Sequence, residues 1–171
     1  MDSNQTLTID EFNLSIENII KISNDILDGW TLHVNKENDN GKYITKKSTI
    51  SIEEPGKGNP ITLTYEHHVV FSLSYSVPMI CFNVWKADGS VLSMEEYLNI
   101  NQNFDDSNMY NTITQLDHPV LCRPFLTLHP CKTQEIIEPF LSTSKNPVIS
   151  WLTVVSSYVH LKILEEYIKH C

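Results

Sequence analysis

Between Ile61 and Val77 the chain alternates for an unusual length. Ile61, Leu63, Tyr65, His67, Val69, Phe71, Leu73, Tyr75 and Val77 are apolar or ring-bearing, with mostly Thr, Glu and Ser between them. A period of two sends the first set to one face of a sheet and the second to the other. A helix cannot produce this pattern, so the remaining chain must supply neighbouring strands and a cover for the apolar face. Pro78 lacks a ladder donor and is expected to end or kink the strand. Met79 to Trp85 reads as a further strand, closed by Ala87-Asp88-Gly89. Upstream, Trp30 to Val34 and Tyr43 to Ile52 read as strands separated by the turn signal Asn38-Asp39-Asn40-Gly41. The run from Glu53 to Pro60 reads as a turn-rich connector.

The cover comes from both ends. Thr8-Ile9-Asp10-Glu11 is a capping box, after which Phe12, Ile16, Ile19, Ile20 and Ile26 recur at helical spacing up to Gly29, the expected C-cap. Near the other end, Asn146 is an N-cap with Pro147 at the first helical position. Val148, Trp151, Leu152, Val155, Tyr158 or Val159, and Ile163 then trace a closing amphipathic helix. Shorter helices are expected at Met94 to Leu98, capped by Ser93, and at Gln134 to Phe140. Asn99 to Asn108 reads as a solvated loop, and Pro124 to Leu128 as a small extended segment. Strands grouped apart from helices predict an α+β fold, an antiparallel four-stranded meander flanked by N- and C-terminal helices. At 171 residues the expectation is one domain over 1–171.

Charge narrows the function. Twelve Lys and Arg stand against 21 Asp and Glu, a formal net charge of -9, and no basic stripe is present, which excludes bulk nucleic-acid binding as a working idea. The first residues lack a basic start and an apolar core, so no signal peptide is read, and no apolar run approaches the ~20 residues a membrane span needs. A soluble, intracellular protein with reduced thiols is expected.

The densest polar constellation is His118-Pro119-Val120-Leu121-Cys122 followed by His129-Pro130-Cys131. Three readings compete. His118, Cys122, His129 and Cys131 form the ligand set of a structural zinc site, but His129-x-Cys131 is tighter than the usual paired-ligand spacing. Alternatively these are buried structural residues, the reading given to Cys81 and Cys171 and extended to Cys122. In the third, Cys131 is a nucleophile: a thiol at a helix start, beside the cation of Lys132, is favoured as thiolate. Neither a Gly-x-Ser-x-Gly motif, a Gly-rich phosphate loop nor a His-Glu-x-x-His motif occurs, so thiol chemistry is the one well-posed enzymatic candidate. A cysteine protease or thiol oxidoreductase fits less well, since His129 is too close in sequence to act easily as a separate base and no resolving Cys is evident.

The segment Leu128-His129-Pro130-Cys131-Lys132-Thr133, preceded by His118-Pro119 and Pro124-Phe125, resembles the active-site segment of the autophagy-related protein 10 family of ubiquitin-conjugating-like enzymes. The strand ending Ser74-Tyr75-Ser76-Val77-Pro78 and the turn Asp88-Gly89 resemble the same family. The resemblance implies a ubiquitin-conjugating-enzyme-like fold, with no metal or small cofactor. It implies that the activating enzyme, autophagy-related protein 7, passes the ubiquitin-like autophagy-related protein 12 to Cys131 as a thioester. Transfer to a lysine of autophagy-related protein 5 would follow, in the cytoplasm or peripherally at autophagic membranes through partners. By the same resemblance the first helix, Thr8 to Leu27, helps meet the activating enzyme, whereas its apolar stripe alone reads as core packing. The chain departs from conjugating enzymes at large, whose His-Pro-Asn motif carries an oxyanion-steadying amide. Here the tripeptide is His118-Pro119-Val120. His129 is then the expected transition-state or turn support, and Tyr75 the candidate for orienting the acceptor lysine or, equally, a packed strand aromatic. A catalytically inactive module that docks a ubiquitin-like protein is the alternative.

Overall fold

Thr8 opens the first helix as the sequence predicts. Its hydroxyl accepts from the Glu11 N–H while Glu11 Oε2 accepts from the Thr8 N–H at 2.8 Å, and helix α1 runs Ile9–Ile26. In the computed structural model, which describes residues 6–37, 41–54, 56–101 and 113–171, α1 buries Phe12, Ile16, Ile19 and Ile22. The left-handed C-cap is Leu27 (φ 56), two residues before the expected Gly29. Asn38 to Asn40 of the predicted turn and Gln102 to Asn108 of the predicted loop lie outside the described residues.

Among the described residues the sheet has six strands rather than four: β1 (Thr31–Val34), β2 (Lys42–Glu53), β3 (Pro60–Ser72), β4 (Val77–Lys86), β5 (Ile113–Asp117) and β6 (Pro124–Leu128). Their order is β1-β2-β3-β4-β6-β5, with every pairing antiparallel. The first four form the predicted meander. The extended segment at Pro124 joins β4 through Cys81↔Thr127 and Phe82↔Leu126, and brings β5 along its outer edge. Ile113–Asp117 carries Thr114, Gln115 and Asp117, too polar for its sequence to announce a strand; hairpin pairing with β6 makes it one.

The long alternating strand also ends earlier than its pattern suggests. Pairing stops at Ser72↔Val77, and Leu73, Ser74, Tyr75 and Ser76 form a tight turn with Ser76 at φ 52. Leu73 and Tyr75 thus lie on a turn, 63% and 47% exposed. Pro78 does not end a strand but sits near the start of β4.

Helices cover one face. Besides α1 and the short α2 (Met94–Ile100), they are α3 (Thr133–Leu141), α4 (Pro147–Val155) and α5 (Glu165–Ile168). The predicted closing helix is interrupted: after α4 a 3-10 turn over Ser156–Val159 ends at His160 in the left-handed region (φ 54), so Ile163 belongs to a connector. Asn146 caps α4 through its Oδ1, which accepts from Ile149 N–H, while its amide donates to Ser15 O and Asn18 Oδ1 on α1. Ile44, Tyr65, Val69, Ile80, Phe82, Trp151 and Leu152 fill the core beneath these helices. Fully burying one such aliphatic side chain contributes about 1.5–3 kcal/mol.

A buried ion pair ties β2 and α5 to the connector that follows α1. Lys46 Nζ on β2 lies 2.6 Å from Asp28 Oδ1 after α1, over the Trp30 ring, and the Tyr167 hydroxyl of α5 donates to Asp28 Oδ2 at 2.9 Å. On the sheet's other face a smaller cluster, Tyr43, Val70, Met79, Cys81 and Phe125, is covered by Val120 and Leu121.

Candidate functional site

β6 ends where Pro130 cannot continue the ladder, and the chain turns through a 3-10 segment, Pro130–Lys132, directly into α3. His129 caps that turn: its Nδ1 accepts the Cys131 N–H at 3.1 Å. Cys131 is exposed at the bend. Its neighbour Lys132 has its ammonium 3.8 Å from Glu135 Oε2, so part of that charge is answered within the helix. The antiparallel register carries the β3–β4 turn to the same end of the sheet. There the Tyr75 ring meets the His129 ring edge-on, with centroids 5.9 Å apart. Three side chains singled out in the sequence, Cys131, His129 and Tyr75, thus come together, although Tyr75 arrives on a turn.

The other cysteines divide. Cys81 is sealed in β4, and burial pushes its thiol up to about 12, against a weaker opposing effect of the Thr127 hydroxyl. Cys122 and Cys171, expected to be buried, are exposed, Cys122 on a tight loop at φ 52 and Cys171 after the last helix. The four-residue metal set is not assembled. His118 is fully buried with both ring nitrogens engaged, and among the described residues no group of three or more His, Cys, Asp or Glu is placed to hold a metal.

His118 leads to a constellation the sequence reading did not single out. Its Nδ1 accepts from the N–H groups of Val120 and Leu121 at 3.1 and 3.2 Å, and its Nε2 lies 3.2 Å from His68 Nδ1. His68 Nε2 is 2.7 Å from Glu66 Oε1, and Glu66 Oε2 pairs with Lys47 at 3.0 Å. Burial first, then the neighbouring His68 and Arg123, push His118 down to about 3. Burial also lowers His68, against the hydrogen bond to Glu66. For Glu66, burial alone would raise the carboxyl, but hydrogen bonds from His68 and Lys47 prevail and hold it below its ordinary range. The signal was present in the alternation itself: Glu66 and His68 are two apart on one strand, so they share a face.

An antiparallel sheet, helices over one face and an exposed cysteine at a strand-to-helix bend define a protein of the conjugating-enzyme fold. The structure is similar to a crystal structure described as the autophagic E2 Atg10, with a TM-score of 0.58 at 14% identity over 91% of this chain and 98% of the other. The family model for the autophagocytosis-associated protein active-site domain matches residues 11–166. Among curated proteins the chain is 35% identical over 117 residues to the ubiquitin-like-conjugating enzyme ATG10 of Homo sapiens, covering 63% of this chain and 53% of that protein. With the ATG10 of Arabidopsis thaliana it is 30% identical over 112 residues, covering 58% and 50%. The chain belongs to the autophagy-related protein 10 family. It spans about half the length of the curated relatives it matches.

Proposed function

We propose that the protein is a ubiquitin-like-protein conjugating enzyme of autophagy that carries its cargo as a thioester on Cys131. The observation that carries this reading is the bend itself: an exposed thiol whose backbone N–H is clasped by His129, with the Tyr75 phenol alongside. The names of the relatives support conjugation as the activity.

In the first step the Cys131 thiolate attacks the carbonyl carbon of a C-terminal glycyl thioester held by the activating enzyme, autophagy-related protein 7. The carrier's thiol leaves, and the ubiquitin-like autophagy-related protein 12 remains on Cys131. In the second step a lysine amine of autophagy-related protein 5 attacks that carbonyl, the amine loses a proton, and the Cys131 thiolate departs as the isopeptide bond forms. Sulfur serves both steps as nucleophile and leaving group, which replaces one difficult acyl transfer by two easier ones. No metal or small cofactor enters this sequence. With His129 Nδ1 accepting from Cys131, a neutral ring carries its proton on Nε2, which makes His129 the support of the turn and leaves Nε2–H free to donate to developing negative charge. Val120 offers no side-chain amide for that task. Tyr75, half exposed beside His129, orients the incoming lysine. The reaction belongs in the cytoplasm, where thiols stay reduced.

The test combines the protein with the activating enzyme, ATP and the ubiquitin-like protein, followed by a non-reducing gel. The reading predicts a reductant-sensitive adduct that Cys131→Ser no longer forms and that an added acceptor discharges. An uncharged wild type would leave a docking module without chemistry.

A further inference from the structure

Two buried histidines take no part in the steps above, yet they are joined with a fixed polarity. His118 Nδ1 accepts from two backbone N–H groups, so the ring proton sits on Nε2 and is donated to His68 Nδ1. His68 then carries its proton on Nε2 and donates it to Glu66 Oε1. An ionised carboxylate only accepts, so Glu66 terminates the chain in one direction, with Lys47 on its other oxygen. Reversing any link would set an N–H of His118 against the N–H groups of Val120 and Leu121. Rings hold the planes in place: Tyr43 stacks on His68 at 5.5 Å and meets His118 edge-on at 5.0 Å, and Phe125 packs on both histidines.

What the chain holds is the loop from His118 to Arg123. The loop closes through His118 N–H to Arg123 O and Cys122 N–H to His118 O, both 2.9 Å. Pro119, Val120 and Cys122 line a cleft of about 220 Å³ together with Phe71 and Leu73. Leu73 and Tyr75 share the β3–β4 turn, so that one turn lines the cleft with this loop through Leu73 and meets His129 through Tyr75.

We propose that Glu66 and His68 are positioning residues: they set the tautomer of His118, which fixes loop 118–123 as a wall against the turn that carries Tyr75. This rests on the conjugating function proposed above, since only there does the placement of Tyr75 matter.

Two substitutions separate this role from general support of the fold. Glu66→Gln replaces an acceptor with a group that also donates, so the direction of the chain is no longer imposed. In His118→Asn the Oδ1 accepts from the same two N–H groups, as in an Asx turn, and needs no tautomer. In the wild-type background Glu66→Gln should leave thioester formation intact and slow discharge to the acceptor lysine by about tenfold, less than the ~100-fold that a ~1 Å misplacement at a reacting centre can cost. In the His118→Asn background the same change should have no further effect. Nitrogen NMR of the wild-type rings reads the tautomers without any variant: both histidines should show an unprotonated Nδ1 and a protonated Nε2. Protonation of either Nδ1, an equal loss in both backgrounds, or no loss in the wild type overturns the proposal. A wild type that never charges removes the function and the positioning role together, whereas charging without this coupling removes the positioning role alone.

Discussion

Acidification from about pH 7.5 to about pH 5 should cost the fold about 4 kcal/mol, through two buried imidazoles that stay neutral. His67 is fully buried with Nε2 2.6 Å from Val159 O; burial pushes it down to about 4, against that hydrogen bond. His118 is held at about 3. Both stand at 6.5 when unperturbed, so the unfolded chain takes up protons that the folded one refuses. The sign follows: stability is complete above pH 6.5 and is lost as pH falls from there towards the folded values. At about pH 5 the unfolded imidazoles are nearly all protonated and the folded ones nearly all neutral, which amounts to about 2 kcal/mol each. His68 and His160, also lowered by burial, act in the same direction. Urea unfolding at the two pH values measures the difference through the transition midpoint. His118→Asn should remove about half of the pH dependence, leaving about 2 kcal/mol. A wild-type difference below about 1 kcal/mol, or ring resonances that titrate near the ordinary histidine value, would refute the reasoning.

Lys46→Met keeps the aliphatic stem but strands the Asp28 carboxylate between Tyr167 and a buried surface; thermal or urea unfolding should show a loss of about 3–5 kcal/mol. Asn146→Ala removes the α4 cap together with its bonds to α1, and chemical denaturation should record about 1–2 kcal/mol. Tyr75→Phe preserves the ring contact with His129 and removes the phenol, so charging should be unchanged and single-turnover discharge to the acceptor slower; equal discharge rates would leave Tyr75 a packing residue.

Much of the fold was legible because period and capping are local. The alternation from Ile61 to Phe71 placed β3 and its buried face, and the Thr8 and Asn146 caps placed α1 and α4. The turn at Leu73 to Ser76 was not legible, since hydrophobic alternation continues through it and the left-handed position is filled by Ser76 instead of Gly or Asn. β5 is strand by virtue of its partner, which no single segment encodes. Cys131, His129 and Tyr75 were visible as residue types, and their meeting depends on a register fixed two strands away. The link from Glu66 to His118 joins positions far apart in sequence, so only the folded sheet reveals it.

The central claim is that Cys131 carries an acyl group. Intact-protein mass spectrometry of the charging reaction, followed by peptide mapping under non-reducing conditions, tests it most directly. The account predicts a mass equal to protein plus ubiquitin-like partner minus one water, with the linkage on the peptide containing Cys131 and cleaved by hydroxylamine. A linkage on Cys122 or Cys171, or charging that survives Cys131→Ala, would contradict it.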